Sequence, residues 1–98
     1  MIYNPIGRET IAGVAAAIGF SAAHIPPTDN DVAYALVQPL TGAIRFCIDG
    51  TTPEAAVGVK INIEDTFEVW GRKALVNFLA IDDGGVATIE VIYFGRGG

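Results

Sequence analysis

The side chains that could carry out nucleophilic or acid–base chemistry are few and poorly spaced for it. His24 is the single histidine of the 98 residues, and Ser21 and Asp29 lie near it in the sequence. A hydrolytic triad needs a histidine oriented by an acid, together with an oxyanion hole. Because Pro26-Pro27 separates His24 from Asp29, we interpret this grouping as a coincidence.

The carboxylates fall in patterns typical of turns and of a solvated rim. The run Asp29-Asn30-Asp31 lacks the alternating ligands, central glycine and distal glutamate of an EF-hand loop. Asp82-Asp83 precedes two glycines, as in a tight hairpin turn. Asp65 and Glu68, close to Glu64, could supply a glycosidase pair, but their spacing on an extended segment places them on opposite faces. The sequence predicts a non-enzymatic protein with no catalytic residues, no metal site and no cofactor.

Composition limits the partners that the chain can have. Its length is that of one domain, and six scattered basic residues with a net charge of −5 argue against nucleic acid. The segment Thr10 to Ala23 is too short to span a bilayer and has no positive start, so we interpret it as mature structure with no membrane partner. The single Cys47 cannot form an internal disulfide and is predicted to be a small buried hydrophobe.

The apolar content predicts burial against something else. Half of the residues are hydrophobic (51%) and only 17% are charged, so a small fold leaves apolar surface uncovered. We expect a homo-oligomer or a larger partner to cover that surface. The alternative is a well-buried β-sandwich.

The stretch from Ala43 to Ile63 predicts the central β-hairpin. Ile44, Phe46 and Ile48 alternate with polar or small residues, which is the period of a strand with two distinct faces. Asp49-Gly50 then stops the strand, because glycine accepts positive φ at no steric cost.

Further strands are predicted on both sides of this hairpin. They are Val32 to Val37, Thr66 to Trp70, Lys73 to Ile81 and Val86 to Phe94. The region Arg8 to Ala23 is predicted to hold one or two short strands, with a helix over Thr10 to Ile18 as the alternative. The fold class is therefore all-β: a single small antiparallel β-sandwich or barrel-like domain of seven or eight short strands.

The two ends of the chain are predicted to lie outside this domain. Residues 1–8 are expected to form an extended N-terminal arm, residues 9–94 the β-sandwich and residues 95–98 a solvated tail. An edge strand of its own domain is the alternative for the N-terminal segment.

Trp70 ends an alternating strand just before Gly71-Arg72, where an exposed aromatic side chain could anchor a partner or stack on a sugar. Trp and Arg are residues that protein interfaces favour. The alternative is that Trp70 closes one end of the sandwich. The predicted partner interface consists of Ile2, Tyr3, Pro5, Ile6, Trp70 and Arg72.

Between Ala33 and Tyr93 the chain resembles small β-rich structural proteins of tailed bacteriophages. The resemblance is carried by Ile44-Arg45-Phe46, Asp49-Gly50-Thr51-Thr52-Pro53, Gly58, Asn77-Phe78-Leu79-Ala80-Ile81 and Tyr93. It implies a virion component on the outer capsid surface, present in the host cytoplasm during assembly. The implied role is a head decoration or cement protein, with the major capsid protein and further copies of itself, as a dimer or trimer, for partners.

The first 31 residues do not match this pattern, and the Asp-Gly-Thr-x-Pro turn also occurs in β-sandwich modules of carbohydrate-processing enzymes. Two alternatives therefore stand beside the decoration role. One is another virion part, in the tail or at the head–tail joint. The other is a carbohydrate-binding module that uses Trp70, Tyr34 or Tyr93 as a stacking platform.

Overall fold

The computed structural model describes residues 2–12, 17–20, 32–54, 57–83 and 87–97. In these residues the chain forms two antiparallel sheets and one short helix, which confirms the predicted all-β class. The predictions for Ser21, His24, Pro26-Pro27 and the Asp29-Asn30-Asp31 turn lie outside the described residues.

The described residues contain seven strands and one helix, in chain order. They are β1 (Ile2–Ala12), β2 (Val32–Pro39), β3 (Ile44–Cys47), β4 (Val59–Ile61), β5 (Phe67–Trp70), α1 (Arg72–Asn77), β6 (Leu79–Asp82) and β7 (Thr88–Gly97). The larger sheet has the strand order β1-β7-β2-β5, and the smaller sheet has the order β4-β3-β6.

The two ends of the chain pair with each other in the larger sheet. Strand β1 runs antiparallel to β7 from the Ile2–Gly97 pair to the Ala12–Thr88 pair, with a bulge between Pro5 and Gly7. The N-terminal segment is thus an edge strand of its own domain, the alternative to a free arm. The prediction of a solvated tail is wrong for residues 95–97, because their backbone completes β7 against β1.

The central hairpin is confirmed, with β3 paired antiparallel to β4. At its tip the Asp49 carboxylate accepts a hydrogen bond from the Thr51 amide at 3.0 Å, and Gly50 adopts φ +91°. Where the chain returns, Gly58 has φ +116°, and a Cβ there would lie 3.0 Å from the Phe46 carbonyl oxygen. The return therefore requires glycine for both conformation and space.

The prediction of one strand over Lys73 to Ile81 is wrong. Helix α1 occupies Arg72–Asn77, and strand β6 begins only at Leu79. Gly71, at φ 92°, redirects the chain after β5, and its carbonyl accepts the Leu75 amide at 3.0 Å to close the first helical turn. Leu75 is buried and Val76 is 59% exposed, so the helix buries one stripe of an apolar run that periodicity alone does not distinguish from a strand.

One hydrophobic core lies between the two sheets and α1. Alternate residues of each strand in the larger sheet face it, so that Ala35 and Val37 are fully buried and Leu36 between them is half-buried. The core residues are Ile11, Val32, Ala35, Val37, Ile44, Val69, Leu75, Phe78, Ala80, Ala87, Ile89, Val91 and Tyr93.

Residues 17–20 add a short extended segment to the smaller sheet. Ile18 exchanges backbone hydrogen bonds with Ala80 at 3.0 and 2.9 Å. Gly19 lies so close to β6 that a Cβ there would be 2.6 Å from the Phe78 carbonyl oxygen. The strands expected in Arg8 to Ala23 therefore correspond to the second half of β1 and this bridge, with residues 13–16 and 21–23 outside the described part.

Candidate functional site

Four aromatic side chains form a continuous cluster on the outer face of the larger sheet. We call Tyr3, Tyr34, Trp70 and Phe94 the aromatic face. Register places three of them in one row across β7, β2 and β5, because Tyr34 lies opposite both Phe94 and Trp70. In each strand an adjacent residue (Ala35, Val69 or Tyr93) is buried in the core, so this row points outward.

The rings of the aromatic face contact one another closely. Tyr34 stacks on Trp70 with 4.1 Å between ring centroids and on Phe94 with 4.7 Å. Tyr3 lies edge-to-face against Tyr34 at 5.7 Å and against Trp70 at 5.4 Å. Aromatic pairs in these geometries stabilise a structure beyond their area burial, so the face is held rigidly. Trp70 nonetheless keeps 48% of its surface exposed.

The apolar surface continues from the aromatic face along the sheet. Leu36 and Ile92, which lie opposite each other on β2 and β7, are half-buried on the same side. Beside them the bulge of β1 leaves Ile6 53% exposed. A shallow, mostly apolar depression of about 360 Å³ lies at this bulge, lined by Pro5, Ile6, Gly7, Arg8 and Ile92.

The other end of the same face is polar and internally satisfied. Glu90 on β7 accepts hydrogen bonds from the Arg8 guanidinium and, at 2.6 Å, from the Thr10 hydroxyl on β1. The bond from Thr10 and then those from Arg8 hold the pKa of the Glu90 carboxyl below its ordinary value, against the opposing effect of partial burial. This end therefore ties β1 to β7 through charges that already have partners.

One carboxylate lies within the apolar part of the face. Glu68 is exposed on β5, the last strand of the larger sheet, directly opposite Leu36. Its Oε1 accepts a hydrogen bond from the Trp70 indole nitrogen at 2.8 Å. This bond fixes the orientation of the indole ring at the exposed edge of the aromatic face.

On the smaller sheet the charged groups brace the strands. Asp83, just after β6, pairs with Arg45 of β3 and with Lys60 of β4, each at 3.2 Å. The Lys60 bond and then the Arg45 bond and both positive charges hold the pKa of the Asp83 carboxyl below its ordinary value, with burial opposing them. Cys47, the last residue of β3, is half-buried, so the prediction that it is buried is only partly correct. Burial and the nearby Asp49 charge raise the pKa of its thiol.

The structure brings together part of the predicted partner interface. Tyr3 and Trp70, which are distant in sequence, are in ring contact, and Pro5 and Ile6 border the depression on the same side of the sheet. The remaining two predicted residues lie at the periphery. Ile2 is the first residue of β1, paired with Gly97, and Arg72 is the half-buried first residue of α1.

The structure places Phe94, and not Tyr93, on the outer face of β7. Tyr93, a proposed stacking platform, is 1% exposed, and its hydroxyl donates a hydrogen bond to Glu9 on the core side of β1. Burial and then this bond raise the pKa of Tyr93. Phe94, which the sequence reasoning missed, lies on the outer face instead. Alternation along β7 was the available signal, since it puts Val91, Tyr93 and Gly95 on one face and Ile92 and Phe94 on the other. Only the pairing of β7 with β2 decides which of the two faces is the outer one.

Among the residues that the structure describes, no group of three or more His, Cys, Asp or Glu side chains is arranged to hold a metal ion. The helix of the described chain is too short to cross a membrane. Asp65 lies in the Asn62–Asp65 turn, where its amide donates to the Asn62 carbonyl at 3.2 Å, whereas Glu68 lies on β5 and accepts the hydrogen bond from the Trp70 indole.

Comparison with known proteins adds no further constraint. No protein-family model matches the chain, and neither a curated protein nor a solved structure matches it.

Proposed function

We propose that this chain is a non-enzymatic structural protein that docks onto an assembled protein shell and stabilises it, in the role of a phage head decoration or cement protein. The observation that carries the proposal is the aromatic face, a rigid and partly exposed cluster of four rings on one side of a sheet. The phage assignment comes from the resemblance described above. The docking role is supported by the geometry of the face.

The aromatic face has the composition of an energetic centre of an interface. Tyrosine and tryptophan are enriched among residues whose truncation costs most binding free energy, and charged residues are depleted from interface cores. Because the rings are held by mutual stacking, little side-chain entropy is lost when a partner covers them. Apolar Leu36, Ile92 and Ile6 extend the patch, and the Arg8–Glu90 pair forms its polar limit.

Docking of this kind stabilises a shell by mass action. A protein that binds only the assembled state stabilises that state. The free energy of stabilisation grows with the logarithm of the free protein concentration divided by its dissociation constant. In this role the major capsid protein is the partner and the outer capsid surface is the location. Self-association of docked copies, as a dimer or trimer, adds buried area.

A carbohydrate-binding module is the second candidate, favoured by the exposure of Trp70. A sugar stacks on the open face of an aromatic ring, and Trp70 is the one exposed member of the aromatic face, whereas its other three members are half-buried. Tyr34 is covered by a ring on each side, and Tyr93 is buried. The arrangement therefore offers one open ring rather than a platform of several, which favours the docking role.

Cosedimentation with empty phage heads tests the proposal. We expect the wild-type chain to sediment with heads at a fixed ratio, and Trp70→Ala to bind at least tenfold more weakly, as for a central interface residue. Val76→Ala is the matched control, since Val76 is also exposed and apolar but lies on α1. Absence of wild-type binding, or equal binding by Trp70→Ala, would refute docking through this face, and glycan binding lost in Trp70→Ala would support the second candidate.

A further inference from the structure

The aromatic face carries a constraint on the chemistry of whatever covers it. Glu68 and Trp70 lie two residues apart on the same side of β5 and are joined by the hydrogen bond from the indole nitrogen to Oε1. A partner surface that covers the indole therefore also covers the carboxylate. The two side chains must be recognised together.

The Glu68 charge is not compensated within the described part of the chain. Arg8 pairs with Glu90, and Arg45 and Lys60 pair with Asp83, so none of these three cations is paired with Glu68. One neutral indole donor is its hydrogen-bond partner. In the free protein water solvates this exposed carboxylate, but an interface removes that water, and burial of an unpaired charge strongly opposes binding. A tight complex over this face thus requires a cation from the partner.

We propose that the protein partner presents an arginine side chain to this site, stacked on the indole of Trp70 and bonded to the carboxylate of Glu68. This inference rests on the proposed docking function and specifies the chemistry of its partner. A guanidinium fits both groups at once, because its plane stacks on an aromatic face while its N–H groups donate to a carboxylate oxygen. An ammonium group is more strongly hydrated and has no plane to stack.

The geometry leaves room for this contact. Tyr34 stacks on one side of the indole, and Tyr3 lies perpendicular to it, while nearly half of the Trp70 surface is exposed. Because Oε1 of Glu68 is bonded to the indole, Oε2 is left to accept a hydrogen bond from the guanidinium of the partner. The net charge of −5 adds a general attraction towards a basic surface.

The sign of the effect of Glu68→Gln on head binding tests the inference. Glutamine keeps an oxygen that can accept the indole hydrogen bond and removes the charge. If an arginine faces Glu68, we expect Glu68→Gln to weaken binding about tenfold or more, because the guanidinium is left buried without its counter-charge. If no cation is present, the same substitution removes an unpaired buried charge and strengthens binding or leaves it unchanged, which would overturn the inference.

Glu54→Gln is the matched control, since it changes the net charge equally at an exposed position in the β3–β4 connection. We expect it to change affinity less than twofold. Blocking the arginines of the heads with a dicarbonyl reagent should abolish the difference between wild type and Glu68→Gln, whereas acetylation of their lysines should preserve it. The reverse pattern would assign a lysine and refute arginine. Loss of all wild-type binding to untreated heads is a separate outcome, which refutes the docking function itself.

Discussion

Tyr93 and Phe94 are adjacent on β7, and truncating each in turn tests which side of the larger sheet is inside. Tyr93 is 1% exposed and lies edge-to-face against Phe20, with 5.5 Å between ring centroids. Phe94 is half-buried and stacks on Tyr34. Each substitution to alanine removes one aromatic ring, and the two positions are adjacent. A difference in their effects on stability therefore shows which face of the sheet each ring lies on, and does not reflect the type of residue.

The expected losses of unfolding free energy differ about twofold or more. Truncating a fully buried aromatic side chain leaves a cavity and costs about 3–5 kcal/mol. Tyr93→Ala also leaves Glu9 without the phenol hydrogen bond. Phe94→Ala loses one stacked pair, about 0.5–1.5 kcal/mol, and part of its burial, for a total of about 1–2 kcal/mol. Since small domains have only about 5–15 kcal/mol in total, Tyr93→Ala should remove a large share of the stability.

Urea unfolding followed by far-UV circular dichroism measures both losses. The comparison is valid if the unfolding free energy depends on urea concentration with the same slope in both variants. Tyr93→Phe keeps the ring and removes only the hydroxyl, so its expected loss is about 1.5 kcal/mol, well below that of Tyr93→Ala. Head binding gives the second readout: Phe94→Ala should weaken it, whereas folded Tyr93→Phe should bind as wild type. A loss from Phe94→Ala equal to or larger than that from Tyr93→Ala would refute the assignment of faces.

Two further predictions concern stability. Gly19→Ala should lower the free energy of unfolding by about 1–3 kcal/mol, because its Cβ would lie 2.6 Å from the Phe78 carbonyl oxygen. Thermal unfolding measures this loss, and an unchanged midpoint temperature would contradict the close approach. The partners of Glu90 and Asp83 lower the pKa values of these carboxyls below their ordinary 4.5 and 3.8. Their contribution to folding stability is therefore complete at a pH above the ordinary pKa values and is lost as the pH falls through the lowered ones. Urea midpoints from neutral to acid pH should fall less steeply in Glu90→Gln, and an identical pH profile would contradict the contribution of Glu90.

Alternation and turn chemistry were enough to predict most of the strands. The hairpin built on β3 and β4 followed from the alternation around Phe46 and from Asp49-Gly50, which are local signals. The run after Gly71 was predicted wrongly because residues 73–81 are apolar at nearly every position. Burial of Leu75 against the core, together with the turn at Gly71, selects the helix, and neither follows from a single local period.

The candidate site was predictable only in part, because it depends on register between strands that are distant in sequence. Trp70 stands out by residue type, whereas its contact with Tyr3 requires the order β1-β7-β2-β5. The same order explains why the predicted arm is not free. Residues at the two ends of the chain pair along the whole of β1, and nothing local to either end indicates this pairing.

The outer face of the larger sheet is divided along the strand direction, and the division follows from how its two carboxylates are satisfied. Glu90 has its positive charge and its hydroxyl donor inside the chain, so its end of the face is complete without a partner. Within the described part of the chain, Glu68 has the indole of Trp70 as its one hydrogen-bond donor, at the end where the rings and the apolar side chains lie together. Water solvates the exposed Glu68 carboxylate in the free protein, and therefore stability alone does not require a cation beside Glu68. A docked partner surface does require a cation beside Glu68, because it removes that water. A charge substitution at Glu68 therefore separates binding from folding more cleanly than any substitution among the stacked rings.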